Sequence, residues 1–378
     1  MVELATRPSD FHQISAGVWF QRLQDNEGGA SSLIGQSTFA TLTTFLQGTV
    51  QNFQLSPSHV GLGWRSLLGA WYFQDTVKLR SNLTLQAGLR HEFTTGWNEV
   101  ARRAANFLLD PQGVLETDTR VGASVFTENN AKRLFGPRVA LAWDPFSNTR
   151  TAIRAGFGTY YSLMDALSFQ LNGLPPYNGA ATFANVPLFS IVPVNPSAPL
   201  PRFCDVNVPQ PCTNFQPRGV QADAKTPAVQ EWNFTVEQQL DSHTGVRVAY
   251  VGSRGYHHLI SIDPNSVPAS VCATPGGCTA GGIGTARANV AQGAQYVPVV
   301  SGRPNPFLGA GFFWFAQGNT SYQALQIDVN RRLTAGFQVR GNYTWSKNLD
   351  MNSALTVAPF SHRLPLPKGS SYWPEILD

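Results

Sequence analysis

Apolar and polar residues alternate with a period of two along much of this chain, the pattern of strands with one greasy and one wet face. The clearest case is SYQALQIDVNRRLTAGFQVRGNYTWSKNLD, residues 321–350. On its first arm Leu325, Ile327 and Val329 share one face, and Gln326, Asp328, Asn330 and Arg332 the other. On its second arm Phe337, Val339, Tyr343 and Trp345 form the apolar row, and Gln338, Arg340, Asn342 and Thr344 the polar one. A turn of three loop residues, Leu333 to Ala335, predicts a hairpin that keeps the faces in register and sets Asp328 opposite Arg340.

The same pattern predicts strands at 11–23, 67–79, 83–93, 134–144, 150–161, 231–240 and 245–252. Ile14, Ala16, Val18 and Phe20 make the first apolar row. Trp71, Phe73, Val77 and Leu79 face Leu83, Leu85, Ala87 and Leu89, with Asp75 interrupting the row where a β-bulge is expected. Val139, Leu141 and Trp143 match Ile153, Ala155 and Phe157. Trp232, Phe234 and Val236 match Val246, Val248 and Tyr250, which sets Glu237 opposite Arg247 on the polar face. Residues 24–65 are mixed, and TLTTFLQG (41–48) fits either a short helix or part of a strand.

The count is about nine strands, joined alternately by connections of about three to five residues and of roughly 40 to 70. The long connections are 94–133, 162–228 and 253–320. A soluble sandwich strand turns its apolar row inward. A membrane barrel inverts this: apolar toward lipid, polar toward a wet lumen, with short turns on one side and long loops on the other. Strands that follow short turns end in Trp19 and Phe20, Phe93 and Trp97, Tyr160 and Tyr161, Tyr250, and Tyr343 and Trp345. These predict an aromatic girdle at one membrane interface. An odd, open set of amphipathic strands leaves two unpaired edges in lipid, so residues 1–350 are expected to be a portion of a larger barrel, with 351–378 an irregular tail.

Composition sharpens this picture. Charged residues are 13% of the 378, about half the usual share, while Gly (34) and Pro (26) supply many turns. No apolar run is long enough for a membrane helix, which leaves strands as the way across. Net charge is +4 without a basic cluster, so nucleic acid is not an expected partner. MVELATRPSD lacks the apolar segment of an export signal. The cysteines fall in two close pairs, Cys204 with Cys212 and Cys272 with Cys278, and an exported protein would oxidise each into a local staple.

No catalytic constellation, cofactor motif or metal site is expected: phosphate loops, nucleophile elbows and His-Glu-x-x-His are absent. His257 and His258, with Asp263 near, read as exposed histidines at a strand-to-loop boundary rather than ligands. Asp328 with Arg340, and Glu237 with Arg247, read as lumen-facing ion pairs rather than an acid and a base. Ligand recognition belongs to the long loops.

Several segments resemble a known family. FGPRVALAWDP, IRAGFGTYYS, EWNFTVEQQL, VAYVGSRGYHH, SYQALQIDVNRR and NYTWSKNLD are similar to the barrel of TonB-dependent outer-membrane receptors. YFQDTVKLRSNLTLQAGLRHEF resembles a strand pair of the Oar-like branch, which carries a carboxypeptidase-regulatory-like domain. The resemblance spans roughly residues 11 to 350. It implies a barrel of roughly 22 strands with a plug inside it. It also implies outer-membrane lipid, an inner-membrane TonB energy-coupling complex and an extracellular ligand as partners. The expected function is import of a bulky nutrient, with no enzymatic activity. Two other readings stay open: a passive outer-membrane channel or surface adhesin, and a soluble all-β carbohydrate-binding protein.

Overall fold

Period-two sequence with β-branched and aromatic residues in the apolar rows builds ten long strands in a computed structural model of the chain. The structure describes residues 2–28, 34–56, 60–163, 171–179, 181–191, 216–281, 287–334 and 336–351. The strands are β1 (Val2–Ser9), β2 (His12–Glu27), β3 (Leu62–Arg80), β4 (Leu83–Thr94) and β5 (Leu134–Trp143). They continue with β6 (Thr151–Tyr161), β7 (Ala228–Gln239), β8 (Thr244–Ile262), β9 (Phe312–Thr334) and β10 (Phe337–Asp350). Each pairs antiparallel with its neighbour in sequence, an up-and-down meander. Among the described residues the outer edges of β1 and β10 have no strand partner, so the barrel is not closed.

The two faces separate as the alternation predicts. Phe20, Phe73, Leu89, Val139, Phe157, Phe234, Val248 and Tyr250 lie on one face, all substantially exposed. Leu325 and Ile327 continue that face, and Phe337 and Val339 stand exposed on it. No second layer of described residues covers it. An apolar face of this extent is the mark of a lipid-facing wall. Among the described residues no helix is long and apolar enough to cross a membrane.

Several details correct the expectations. Val2–Ser9 is a tenth strand that pairs Val2, Leu4 and Thr6 with Val18, Ala16 and Ile14 of β2. The ladder of β3 runs unbroken past Asp75, and its irregularity lies at Lys78 to Arg80 instead. Asp75 is held on the apolar face by the ring of His12, with Nδ1 2.8 Å from Oδ2. In the last hairpin Thr334 pairs with Phe337, and the register shifts between Arg331 and Thr334. The tighter turn slides the arms by two residues, so Asp328 meets Asn342 and Arg340 meets Asn330, not each other. A two-residue slide preserves the faces.

The described parts of the long connections are folded. Leu42–Leu46 is a short helix, started by Thr41 and Thr44 in a reciprocal capping box. Within 95–133, strands Ala104–Leu109 and Leu115–Gly122 form a hairpin. Strand β8 runs to Ile262 and β9 begins at Phe312, well beyond the stretches that alternate cleanly. Above the apolar band Trp64 of β3, Leu259 of β8 and Trp314 of β9 pack with Trp97, Val125, Leu171, Leu174 and Val220. Trp64 shares parity with Tyr72 on an unbroken ladder, so this core sits on the polar side, across the mouth of the sheet. The expected tail lies outside the described residues from 352 onward.

Two substitutions test the inversion. Val248→Arg, on the apolar face, is expected to lower folding stability in lipid vesicles by about 2–4 kcal/mol. Gln326→Arg, on the polar face one strand away, is expected to change it little. Urea titration of folding into vesicles measures both, and equal costs would remove the assignment of faces.

Candidate functional site

The polar face carries a row of charges built by strand register. Glu237 of β7 lies opposite Arg247 of β8, which lies opposite Asp328 of β9. Arg154 of β6 approaches Glu237 at 3.7 Å, Arg247 reaches Glu237 at 4.0 Å, and Arg247 bonds Asp328 at 2.9 Å. The signs alternate, so each charge is flanked by its opposite and the row is internally neutral. All four side chains are 41–57% exposed, and Glu237, Arg247 and Asp328 line a recess of about 370 Å³. Arg247 thus lies between two carboxylates, nearer Asp328 than Glu237, and Asp328 takes Arg247 rather than Arg340 as its partner. Further along the same face Arg90 pairs with Glu92 at 2.8 Å, and Tyr72 donates to Glu3 at 2.7 Å.

The expected girdle is only partly assembled. Tyr161, Tyr250, Tyr343 and Trp345 share the parity of the apolar rows, and Tyr343 and Trp345 are 63% and 70% exposed. Trp19 pairs with Ala70 and Tyr160 with Val229, so both lie on the polar face, a correction to the sequence reading. Tyr160 lies over Gly158, with the Arg138 guanidinium 4.5 Å from its ring. A side chain at Gly158 would meet that ring at under 3 Å, which explains the glycine. Trp97 is buried in the core over the mouth. Tyr250 falls mid-strand because β8 continues for twelve residues beyond it.

The cap over the mouth is stitched by buried asparagines that the sequence reading missed. Asn106 donates to the carbonyls of Val125 and Val220 at 2.9 and 2.8 Å and accepts from the Val220 N–H at 3.1 Å, tying loop 95–133 to loop 162–227. Asn178 accepts from the Val60 N–H and donates to its carbonyl at 2.8 and 2.9 Å, joining loop 162–227 to loop 28–61. Asn305 donates to the Leu115 carbonyl at 2.7 Å, joining loop 263–311 to loop 95–133. A primary amide reproduces the donor and acceptor of a peptide, so each acts as a one-residue strand pair. The available signal was Asn106 inside the apolar run AANFLL, where an unpaired amide is costly.

Loop 263–311 is closed at its base by a polar clasp. Asp263 accepts from the N–H groups of Asn265 and Gly311 at 3.0 and 2.8 Å and pairs with Arg303 at 2.8 Å. Asp263 is therefore engaged away from the histidines. His257 sits at a β-bulge with φ of 58°, and burial, then the Lys225 charge, push its pKa down. Both histidines are half-buried rather than exposed. No group of three or more metal-ligating side chains occurs among the described residues. Within the loop Cys272 and Cys278 are disulfide-bonded, while Cys204 and Cys212 lie outside the described residues.

Glu99 shows how tightly the cap is built. Its side chain is fully buried beneath Arg103, and its carboxylate accepts from the N–H groups of Gly63, Ala101 and Arg103 at 3.0, 2.7 and 2.9 Å. Burial pushes its pKa up, but these bonds and the Arg103 guanidinium outweigh burial and hold it below the usual carboxylate value. Glu27, at the top of β2, behaves oppositely: burial, then the neighbouring Asp25, push it up to about 7.

Two tests follow from the cap. Asn106→Leu keeps the volume but strands the Val220 N–H and two carbonyls, at about 1–3 kcal/mol for each group left unpaired. Faster proteolysis within 95–133 than in the parent protein is the expected outcome. For Glu27 the folded-state pKa lies above the ordinary 4.5, so its contribution is complete below that value and lost as pH rises toward about 7. Thermal midpoints are expected to fall across that window in the parent protein and to fall less in Glu27→Gln.

A family model described as "Outer membrane beta barrel domain" matches residues 6–366. No curated protein matches the chain. Among solved structures, the YddB outer-membrane transporter of Escherichia coli is 12% identical with a TM-score of 0.46, over 92% of this chain and 32% of that one. The FrpB iron transporter of Neisseria meningitidis is 8% identical with a TM-score of 0.44, over 92% and 35%. The siderophore receptor PirA of Pseudomonas aeruginosa is 10% identical with a TM-score of 0.38, over 90% and 44%. This chain thus spans about a third to under a half of their lengths. With the apolar face turned to lipid and the match running from residue 6 to 366, the chain belongs to the outer-membrane β-barrel domain family and resides in the outer membrane.

Proposed function

We propose that the chain forms part of the wall of a TonB-dependent receptor, of the Oar-like branch, that binds a bulky nutrient at its long-loop end and imports it. The observation that carries this reading is the row Arg154–Glu237–Arg247–Asp328. Its charges are neutralised within the sheet yet half exposed on the polar face, which leaves hydrogen-bonding capacity directed inward. Such a wall suits a folded polar plug more than it suits a selective pore, where one sign of charge usually dominates. In this reading residues 1–350 are the barrel portion, the plug and the energy-coupling complex are partners, and ligand specificity resides in the cap.

The cap also weighs against a simple open channel. Its core lies over the polar face at the mouth, with four loops joined by buried amides. A bulky ligand would bind on or between these loops and enter only when the interior rearranges. The test uses cells that express the full-length protein and a panel of labelled ferric chelates, cobalamin and oligosaccharides too large for general porins. Uptake of one of these that stops when the proton gradient is collapsed is the expected result. Uptake that continues without the gradient identifies a passive channel, and surface binding with no uptake across the panel identifies an adhesin.

A further inference from the structure

The apolar face changes character at one level. Arg22 on β2, Arg254 on β8 and Lys347 on β10 all share the parity of the lipid-facing rows. Each lies ten residues beyond the first residue of its strand at the short-turn end. Ten residues rise about 33 Å along a strand, or about 25 Å across a membrane at a typical tilt, which is the height of the apolar band in outer-membrane barrels. Three cations on three strands therefore emerge where acyl chains give way to headgroups. On the long-loop half of this face the ten strands carry no carboxylate among the described residues. Asp75 lies toward the short turns and is held by His12.

Arg254 and Lys347 form the denser part of this set. They flank β9, where Ser321 pairs with Arg254, and Gln323 pairs with Lys347. Arg254 and Lys347 are exposed, and Ser321 and Gln323 are half-buried between them. Tyr250 donates to Gln323, and the Arg254 guanidinium lies 5.2 Å from the Tyr256 ring. Directly below, Tyr250, Leu325 and Trp345 occupy one cross-strand line at the top of the apolar band. Two cations above hydroxyl and amide groups, with aromatics beneath, match a phosphate carried at the end of acyl chains. Lone snorkelling lysines explain a cation at an interface, but not two flanking one strand beside polar residues, with no acid at their level on this face among the described residues.

We propose that Arg254, Lys347, Ser321 and Gln323 form a docking surface for the phosphate of a lipid in the leaflet on the long-loop side. The proposal rests on the lipid-facing assignment of the apolar rows, and its test separates the two. Trp345 reports directly because it stands two residues below Lys347 on the same face. The full-length protein is placed in phosphatidylcholine nanodiscs, and a brominated quencher lipid is added as phosphatidic acid or as phosphatidylcholine. A Trp345→Phe variant isolates its share of the fluorescence.

Quenching is expected at a lower mole fraction of brominated phosphatidic acid than of brominated phosphatidylcholine. Each cation is expected to account for about a fivefold preference. The preference should vanish in Arg254→Gln/Lys347→Gln and survive in Lys347→Arg, with folding checked by heat-modifiable mobility. Equal quenching by both lipids, or an unchanged preference in the double variant, overturns the proposal while leaving the wall intact. Displacement of the quencher by inorganic phosphate assigns the surface to a soluble anion and also overturns it. Absence of quenching by either lipid overturns the lipid-facing assignment itself.

Discussion

The structure depends on backbone hydrogen bonds that only neighbouring strands can satisfy. A sheet with lipid on one side has no water there, and an unpaired peptide group costs several kcal/mol. Continuous pairing along the ten or so residues of each strand nearest the short turns is therefore obligatory. Once the ladders are continuous, period two sorts every side chain to lipid or to lumen. This explains why Asp75 is accommodated on the apolar face without a bulge. The ladder cannot be broken cheaply, so the carboxylate stays and His12 satisfies it.

Sequence made the faces legible because that sorting is written residue by residue. It made strand ends illegible because the constraint changes above the membrane. There β3, β8 and β9 are covered by loops, and segments such as Phe312–Ala316 are apolar on both sides. Without alternation they resemble loop sequence. The same parity explains the misplaced aromatics: Trp19 and Phe20, like Tyr160 and Tyr161, are adjacent, so one of each pair must face inward. The slide of the last hairpin escaped notice because a two-residue shift leaves both faces unchanged and alters only which charge meets which.

The cap was legible least, since its organising residues are single asparagines far apart in sequence. Asn106, Asn178 and Asn305 each substitute one amide for a stretch of strand pairing. Their partners lie 114, 118 and 190 residues away, beyond the reach of any local pattern. Thr127 and Asn130 add bonds from loop 95–133 to Ala222 and Asp223, and the shared core packs the loops into one body.

The core over the mouth has a consequence for assembly. Trp64 and Trp314 belong to the third and ninth strands, which in a flat sheet would stand about 29 Å apart at ordinary strand spacing. A single packed cluster spanning them imposes curvature on everything between. The loops work as the centring under an arch: their core holds the radius, so the edge of β10 belongs to a wall already bent.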